Sequence, residues 1–142
     1  MNQIIITNKI YKQNNQIDKY KNTEEVLNCC SIKTSNLKNI IRLLGNQGHC
    51  YIEIGNDKLK LINYETENTI IIKTTTTKLE NHNTLIKLND MLPLLKLTYT
   101  KEVEIKITAT TLIIQSTNPY GKTKITLGAI KPEYRPQYQQ TH

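Results

Sequence analysis

The sequence lacks tryptophan and phenylalanine, and its 142 residues include only 5 glycines, 4 prolines and 3 cysteines. So little glycine and proline excludes a linker protein or a loop-rich scaffold. Without those two aromatic residues, the core must be built mainly from Ile, Leu, Val and Tyr. The abundance of Ile and Thr favours strands, because β-branched side chains suit a pleated surface. The length suffices for one domain with a core and is too short for two.

The scarce cysteines and histidines do not form a recognisable chemical site. Cys29, Cys30 and Cys50 include no C-x-x-C pair, and the three histidines are scattered, so neither a disulfide framework nor a zinc motif is predicted. We expect buried free thiols, with at most one of the adjacent pair facing inward. The sequence has no nucleophile elbow and no glycine-rich phosphate loop. It therefore predicts a protein that is not an enzyme and that uses no metal or cofactor.

The charge is unbalanced, with 19 basic residues against 12 acidic ones and a net charge of +7. Such a surplus favours contact with nucleic acid or another polyanion. No segment approaches the roughly 20 apolar residues of a membrane span. The first nine residues are too few and too polar for a signal peptide. We therefore expect an intracellular, cytoplasmic protein with no membrane contact.

The strongest pattern is an internal repeat. Ile32–Leu37 lies over Ile86–Met91 at an offset of about 54 residues, and Cys50–Ile54 lies over Val103–Ile107 at about 53. Loss of one residue after the helix keeps the apolar positions in phase through five elements. The sequence predicts an α+β domain of two β-α-β-β-β repeats with pseudo-two-fold symmetry and two helices on one face of antiparallel sheets. The predicted boundaries are an N-terminal extension at 1–25, one domain at 26–132 with repeats at 26–80 and 81–132, and a C-terminal tail at 133–142.

Capping and turn residues refine these elements. Ser35 and Asn89 are predicted N-caps, because a short side-chain oxygen can accept the first free helical N–H groups. Gly45 is expected to end the first helix in the left-handed conformation, and Pro93 lies early in the second. The remaining predictions are a short strand at Ile4–Ile6, a turn at Gly55–Asp57, and closing strands at Thr69–Leu79 and Lys122–Leu127.

The second copy runs from a strand and helix at Ile86–Leu97 through a hairpin at Glu102–Gln115 to a last strand at Lys124–Pro132. With these elements it resembles the carboxy-terminal domain of PCNA-type DNA sliding clamps. Ile86–Leu97 is similar to that family's strand and helix, and Glu102–Gln115 keeps the spacing of its hairpin. Lys124–Pro132 resembles the family's ending, although the order here is Leu-Gly-Ala-Ile-Lys-Pro. The resemblance covers about 31–133. Clamps of this family carry two such domains per chain and close rings of three chains, whereas this chain has one domain.

The resemblance implies that the helices present basic side chains to DNA phosphates without reading bases. Lys38 and Arg42, one turn apart and opposite the apolar stripe, fit that role, and Lys96 lies at the second-copy position of Arg42. Ordinary solvated lysines are the alternative interpretation. Leu92 lies at the second-copy position of Lys38, where an apolar residue suits a protein contact better than a phosphate.

The resemblance also implies two protein-contact regions. Clamp partners dock near the end of the last strand, a region that corresponds here to Leu127, Ala129, Ile130, Pro132 and Tyr134. Clamp domains join edge to edge by strand pairing, which predicts a homo-oligomer. The implied edge-strand residues are Thr74, Thr76, Lys78, Lys122 and Lys124.

These observations lead to three functional hypotheses. The first is a sliding-clamp-like replication accessory protein, viral or plasmid-encoded, that contacts double-stranded DNA independently of sequence and tethers replication proteins. The second is a clamp-derived module that binds and modulates a host clamp or polymerase without encircling DNA. The third is a basic DNA-binding regulator whose repeat mimics a clamp by convergence.

Overall fold

Strands dominate the fold, as the abundance of β-branched residues predicts. The computed structural model describes residues 3–6, 25–97, 101–118 and 121–131. The described strands are β1 (Gln3–Ile6), β2 (Val26–Lys33), β3 (His49–Gly55), β4 (Lys58–Asn63), β5 (Thr69–Lys73), β6 (His82–Lys87), β7 (Glu102–Thr108), β8 (Thr111–Asn118) and β9 (Gly121–Gly128). The described helices are α1 (Thr34–Leu44) and a 3-10 helix, η1 (Leu88–Lys96).

The strands form two sheets in which every pairing is antiparallel. The five-stranded sheet has the order β1-β9-β8-β7-β2, and the four-stranded sheet has the order β5-β4-β3-β6. The predicted α+β class with two antiparallel sheets and two helices is confirmed. The succession of strand, helix and three strands occurs from β2 to β5 and again from β6 to β9. That this succession reflects an internal duplication stays a prediction.

The core lies between the helices and the inward faces of both sheets. Alternation turns about every second residue of β2, β3, β4 and β7 inward, and α1 buries one stripe against β2 and η1. Cys30 and Cys50 are buried in this core while Cys29 is half-buried, so the prediction of free thiols with one inward member of the pair is confirmed. The largest fully buried side chains are Leu37, Ile41, Ile52, Ile54, Leu59, Leu61, Leu85, Ile86, Leu88, Met91, Leu94 and Ile107.

The predicted N-caps are wrong. Lys33 precedes α1 and Lys87 precedes η1, and neither cap side chain bonds to its helix, so Ser35 and Asn89 lie inside the first turns. The backbone N–H of Thr34 instead donates to the carbonyl of Lys101 at 2.8 Å. At η1, the N–H of Leu88 donates to Gly48 at 2.9 Å. Distant backbone carbonyls therefore satisfy the first helical donors.

The ends of the helices also differ from expectation. Gly45 ends α1 with φ 86° and ψ −171°. The positive φ favours glycine, but the ψ is extended, so the residue does not have the predicted left-handed helical conformation. Pro93 lies inside η1, because that helix begins at Leu88, earlier than predicted. Proline removes a donor and disfavours the α conformation of the preceding residue, which accounts for a 3-10 rather than an α-helix here.

The first hairpin and β5 define one end of the four-stranded sheet. The turn between β3 and β4 is confirmed, with positive φ at Asn56 (52°) and Asp57 (57°). β5 is shorter than predicted, because it ends at Lys73 instead of Leu79. Residues 74–79 leave the sheet after Thr74 donates its N–H to Asp57 at 3.1 Å, and they cross towards β2.

The short strand near the N-terminus is confirmed as β1. It pairs with β9 through the whole of its length, with Ile5 opposite Lys124. The segment assigned to an extension therefore supplies an outer strand of the five-stranded sheet, beyond the last strand of the second copy.

Candidate nucleic-acid interface

The basic face of α1 follows from its amphipathic sequence. Leu37, Ile40, Ile41 and Leu44 point into the core, which turns Lys38 and Arg42 away from it. Arg42 is exposed and donates from Nη1 to Oδ1 of Asn39 at 3.2 Å, whereas Lys38 is half-buried. The helix carries no acidic residue. Its outward face can therefore attract an anion such as a phosphate.

The second helix adds one cation beside α1. Lys96 is exposed in the last turn of η1, and α1 and η1 pack against each other, so Lys96 belongs to the same helical layer as Arg42. Asp90, in the first turn of η1, reduces the positive charge at the other end of this helix. Leu92 packs against the core and is only partly exposed, so the expectation that it faces outward for a protein contact is not met.

Sequence reasoning missed two kinds of residue near this layer. Lys33 and Lys87 are exposed immediately before the two helices, at equivalent repeat positions, and that equivalence was a usable signal. Lys33 lies opposite Glu102 of β7, so its charge is offset, while Lys87 lies opposite His49. Leu43 was also missed: it follows Arg42 on α1 and is 69% exposed. Leu43 lies off the buried stripe of α1, so helical periodicity was a usable signal for its exposure.

The expected partner-binding residues divide between the core and the surface. Leu127 is buried at 1% exposure, because alternation along β9 turns it inward, so in this arrangement it is not accessible to a partner. Ala129 and Ile130 are half-buried just after β9, and the N–H of Ile130 donates to the carbonyl of Leu85 at 3.0 Å. Pro132 and Tyr134 lie outside the described residues.

The expected edge residues after β5 make contacts within the chain. Thr74 donates from its hydroxyl to the carbonyl of Ser31 at 2.6 Å, and Thr76 is buried and bridges to Cys30 of β2. Lys78 is exposed, but its carbonyl accepts the hydroxyl of Thr76 at 2.7 Å. These residues therefore do not extend the β5 edge, because the chain folds them over the edge of β2.

The expected edge residues of β9 are also paired. Lys124 lies opposite Ile5 of β1, and Lys122 lies opposite Thr117 of β8, one residue beyond the register with β1. Pairing of β9 with another chain would require β1 to leave.

The described side chains offer little reactive chemistry. Burial raises the pKa of the Cys30 and Cys50 thiols to about 12, which suppresses the nucleophilic thiolate. Nδ1 of His49 lies 3.6 Å from Oε2 of Glu65. Within the described ranges, no three metal-ligating side chains come together. No helix in that part of the chain is long and apolar enough to cross a membrane.

Comparisons with known proteins identify the fold. No protein-family model matches the sequence, and no curated protein matches it. Among solved structures, the chain is similar to the proliferating cellular nuclear antigen of Entamoeba histolytica, with a TM-score of 0.64 over 75% of this chain and 9% sequence identity. The match covers 46% of that protein, so this chain spans about half its length. The protein thus has a PCNA-like clamp fold.

Proposed function

We propose that the protein is a non-enzymatic, clamp-like DNA accessory protein that contacts phosphates through its helical layer. The observation that carries this proposal is the outward face of α1, where Lys38 and Arg42 lie one turn apart with no acidic residue on the helix. Lys96 adds a third cation from the adjacent η1. The PCNA-like fold supports the proposal, because the sequence resemblance implies that this face meets DNA in clamps.

The chemistry of this face suits binding that is independent of sequence. Lysine and arginine side chains neutralise phosphates and release condensed counterions, a contribution that does not depend on the bases. We infer a weak, salt-sensitive contact with double-stranded DNA. Tethering of replication proteins would use the surface around Ala129 and Ile130.

The direct test reverses the two charges of α1. We expect Lys38→Glu with Arg42→Glu to weaken binding of a DNA duplex by at least about tenfold, because two attractive contacts become repulsive. The control is Lys58→Glu with Lys78→Glu, which changes net charge equally at exposed positions outside the helices. Fluorescence anisotropy with a labelled duplex measures both. Equal loss in the two double variants would show a general charge effect and would contradict a specific interface on α1.

A second candidate function is supported by β1. Because β1 covers the outer side of β9, the edge that the resemblance assigns to ring closure is occupied within the chain. This favours a clamp-derived module that binds a host clamp or polymerase without encircling DNA. The two functions differ in topology. A protein that encircles DNA is retained on closed circular DNA and is released when the circle is cut. A module that does not encircle DNA binds closed and cut DNA equally.

A third candidate, the basic DNA-binding regulator, predicts preference for particular sequences. Competition between the labelled duplex and unlabelled duplexes of different base composition tests it. Equal competition by all of them supports phosphate contact alone, and a strongly preferred sequence supports the regulator.

A further inference from the structure

Strand edges are where this fold can add another chain, because an edge strand presents unpaired N–H and C=O groups. Within the described ranges, other segments of the same chain cover most of the strand edges. Residues 74–77 lie along β2, Ile130 bonds to Leu85 of β6, and β1 covers β9. The outermost strands are then β1, which is four residues long, and β5. Among the described residues, β5 has no neighbour on its outer side.

The hydrogen bonds that flank β5 show which of its backbone groups face outward. Asn63 donates to the carbonyl of Asn68 at 2.9 Å at one end, and Thr74 donates to Asp57 at 3.1 Å at the other. Both pairs continue the uninterrupted register between β4 and β5. Hydrogen-bonded and non-bonded pairs alternate along antiparallel strands. The residues of β5 that bond to β4 are therefore Ile70 and Ile72.

The other three residues of β5 direct their N–H and C=O groups to the open edge. They are Thr69, Ile71 and Lys73, and the side chains of all three are exposed on the outer face of the sheet. Ile71 is 55% exposed, although it is a large apolar residue. Ile70 and Ile72 face the core but remain only partly buried. The strand thus leaves apolar surface uncovered on both of its faces.

We propose that β5 is a homodimer interface, at which two copies pair antiparallel about a two-fold axis through Ile71. This register places Ile71 opposite its own copy, Thr69 opposite Lys73, and Ile70 opposite Ile72. Every outward N–H and C=O group of both strands then has a partner. The isoleucines of each copy cover those of the other on both faces of the joined sheet.

Other antiparallel registers are less favourable. A two-fold axis through Lys73 would bring two lysines together, next to the Lys58 that already lies opposite each of them. A register shifted towards the start of β5 places residues of one copy opposite Glu67 of the other. Glu67 has φ 64°, so its backbone is not extended and cannot continue the strand pair. A shift towards its end leaves Thr69 opposite residues beyond the strand. The register centred on Ile71 alone overlaps all five residues.

A second copy is the occupant that these observations favour. The five residues complement a second copy of themselves. Lys73 faces a neutral threonine, so no like charges meet, and each isoleucine faces an isoleucine, so apolar side chains cover one another. Such an isologous contact uses the same strand twice and closes on itself, so it forms a dimer and not a ring or a filament. The contact is short, so we expect a Kd of about micromolar or weaker.

Oligomeric state tests the interface. Sedimentation velocity from about 1 μM to about 1 mM should show a monomer–dimer equilibrium. Ile71→Lys should raise the dimer Kd by at least about tenfold, because it places two charges side by side. The matched control is Leu79→Lys, at a side chain that is 68% exposed outside β5, and it should leave the Kd unchanged. Circular dichroism checks that both variants fold.

Cysteine crosslinking tests the register. In a Cys29→Ser background, Ile71→Cys should form a disulfide-linked dimer on mild oxidation, because facing residues lie about 5.5 Å apart at Cα. Thr69→Cys should not crosslink to itself, but a mixture of the Thr69→Cys and Lys73→Cys variants should give the mixed dimer. Overturning results are a monomer at all concentrations, an assembly of three or more copies, or equal weakening by the Leu79→Lys control. Self-crosslinking of Thr69→Cys at the rate of Ile71→Cys would also exclude this register.

Discussion

The side-chain amide of Asn28 pairs reciprocally with the backbone of Lys78. Its Nδ2 donates to the Lys78 carbonyl at 3.1 Å, and its Oδ1 accepts the Lys78 N–H at 3.1 Å. The same Nδ2 also approaches the carbonyls of Ile54 and Glu80, each at 3.0 Å. Asn28 lies at the register shift of β2 and is fully buried. It therefore joins β2, β3 and the segment that follows β5.

Removing this amide should be costly. We expect Asn28→Ala to lower the free energy of unfolding by about 2–4 kcal/mol, because several buried backbone groups lose their partner together. Urea denaturation followed by circular dichroism measures the change. The control is Asn46→Ala at an exposed position, for which a change within about 0.5 kcal/mol is expected. A similarly small change for Asn28→Ala would show that water replaces the amide.

The close approach of residues 80–81 to β3 depends on Gly55. A Cβ at this position would lie 2.5 Å from the carbonyl oxygen of Glu80 and 2.6 Å from Cα of Asn81. We expect Gly55→Ala to destabilise the protein by about 1–3 kcal/mol, because backbone must move to relieve the contact. At Gly128, a Cβ would meet nothing within 4 Å, so Gly128→Ala serves as the control. Thermal or urea unfolding of the pair measures the difference, and equal stability of the two variants would contradict it.

The buried thiols predict a loss of stability at alkaline pH. Burial raises the pKa of Cys50 from 9.0 to about 12 in the folded chain, and Cys30 behaves alike. Above pH 9 the unfolded chain loses these protons while the folded chain keeps them, so the free energy of unfolding falls as pH rises towards 12. Below pH 9 the thiols contribute no pH dependence.

A cysteine variant isolates that contribution. Tyrosines and lysines also titrate above pH 9, so the comparison is between slopes and not between absolute stabilities. We expect Cys50→Ala to lower stability at every pH but to reduce its alkaline decline. Urea midpoints from pH 8 to pH 11 provide the slopes. Parallel curves for the variant and the parent protein would show that the thiol ionises equally in both states.

The helical layer predicts a defined salt dependence for DNA binding. Three phosphate contacts correspond to a slope of about −2.7 in a plot of log K against log salt concentration. Arg42→Gln should reduce the magnitude of that slope by about 1, as expected for the loss of one contact. Lys58→Gln, outside the layer, should leave it unchanged. Binding measured by anisotropy at several salt concentrations tests this, and a slope near zero would exclude phosphate contact.

Local patterns in the sequence predicted much of the fold. Alternation in Cys50–Ile54 and again in Lys58–Leu61 predicts a hairpin, because the short turn between them places the apolar residues of both strands on one face. The stripe on α1 likewise predicted which residues would be buried and that Lys38 and Arg42 would face away from the core. These features depend on residues close together in the chain.

The predictions that failed concern features that depend on residues far apart in the chain. Ser35 was a reasonable cap by composition, but the carbonyl of Lys101 reaches the helix start from the other copy. The threonine run after β5 looked like a continuing strand, but Thr76 meets β2 instead. Leu92 was expected to face outward but packs against the core, because the packing of the helices decides which leucine is covered.

The sequence by itself determined the periodicity of the elements, the scarcity of reactive side chains and the basic outward face of α1. These follow from residue types at fixed spacing, which local geometry converts directly into faces. Only the tertiary structure decided which edges remain open. Pairing of β1 with β9 and the crossing of residues 74–79 to β2 join segments far apart in the chain. Their outcome depends on competing backbone partners, which no local pattern in the sequence specifies.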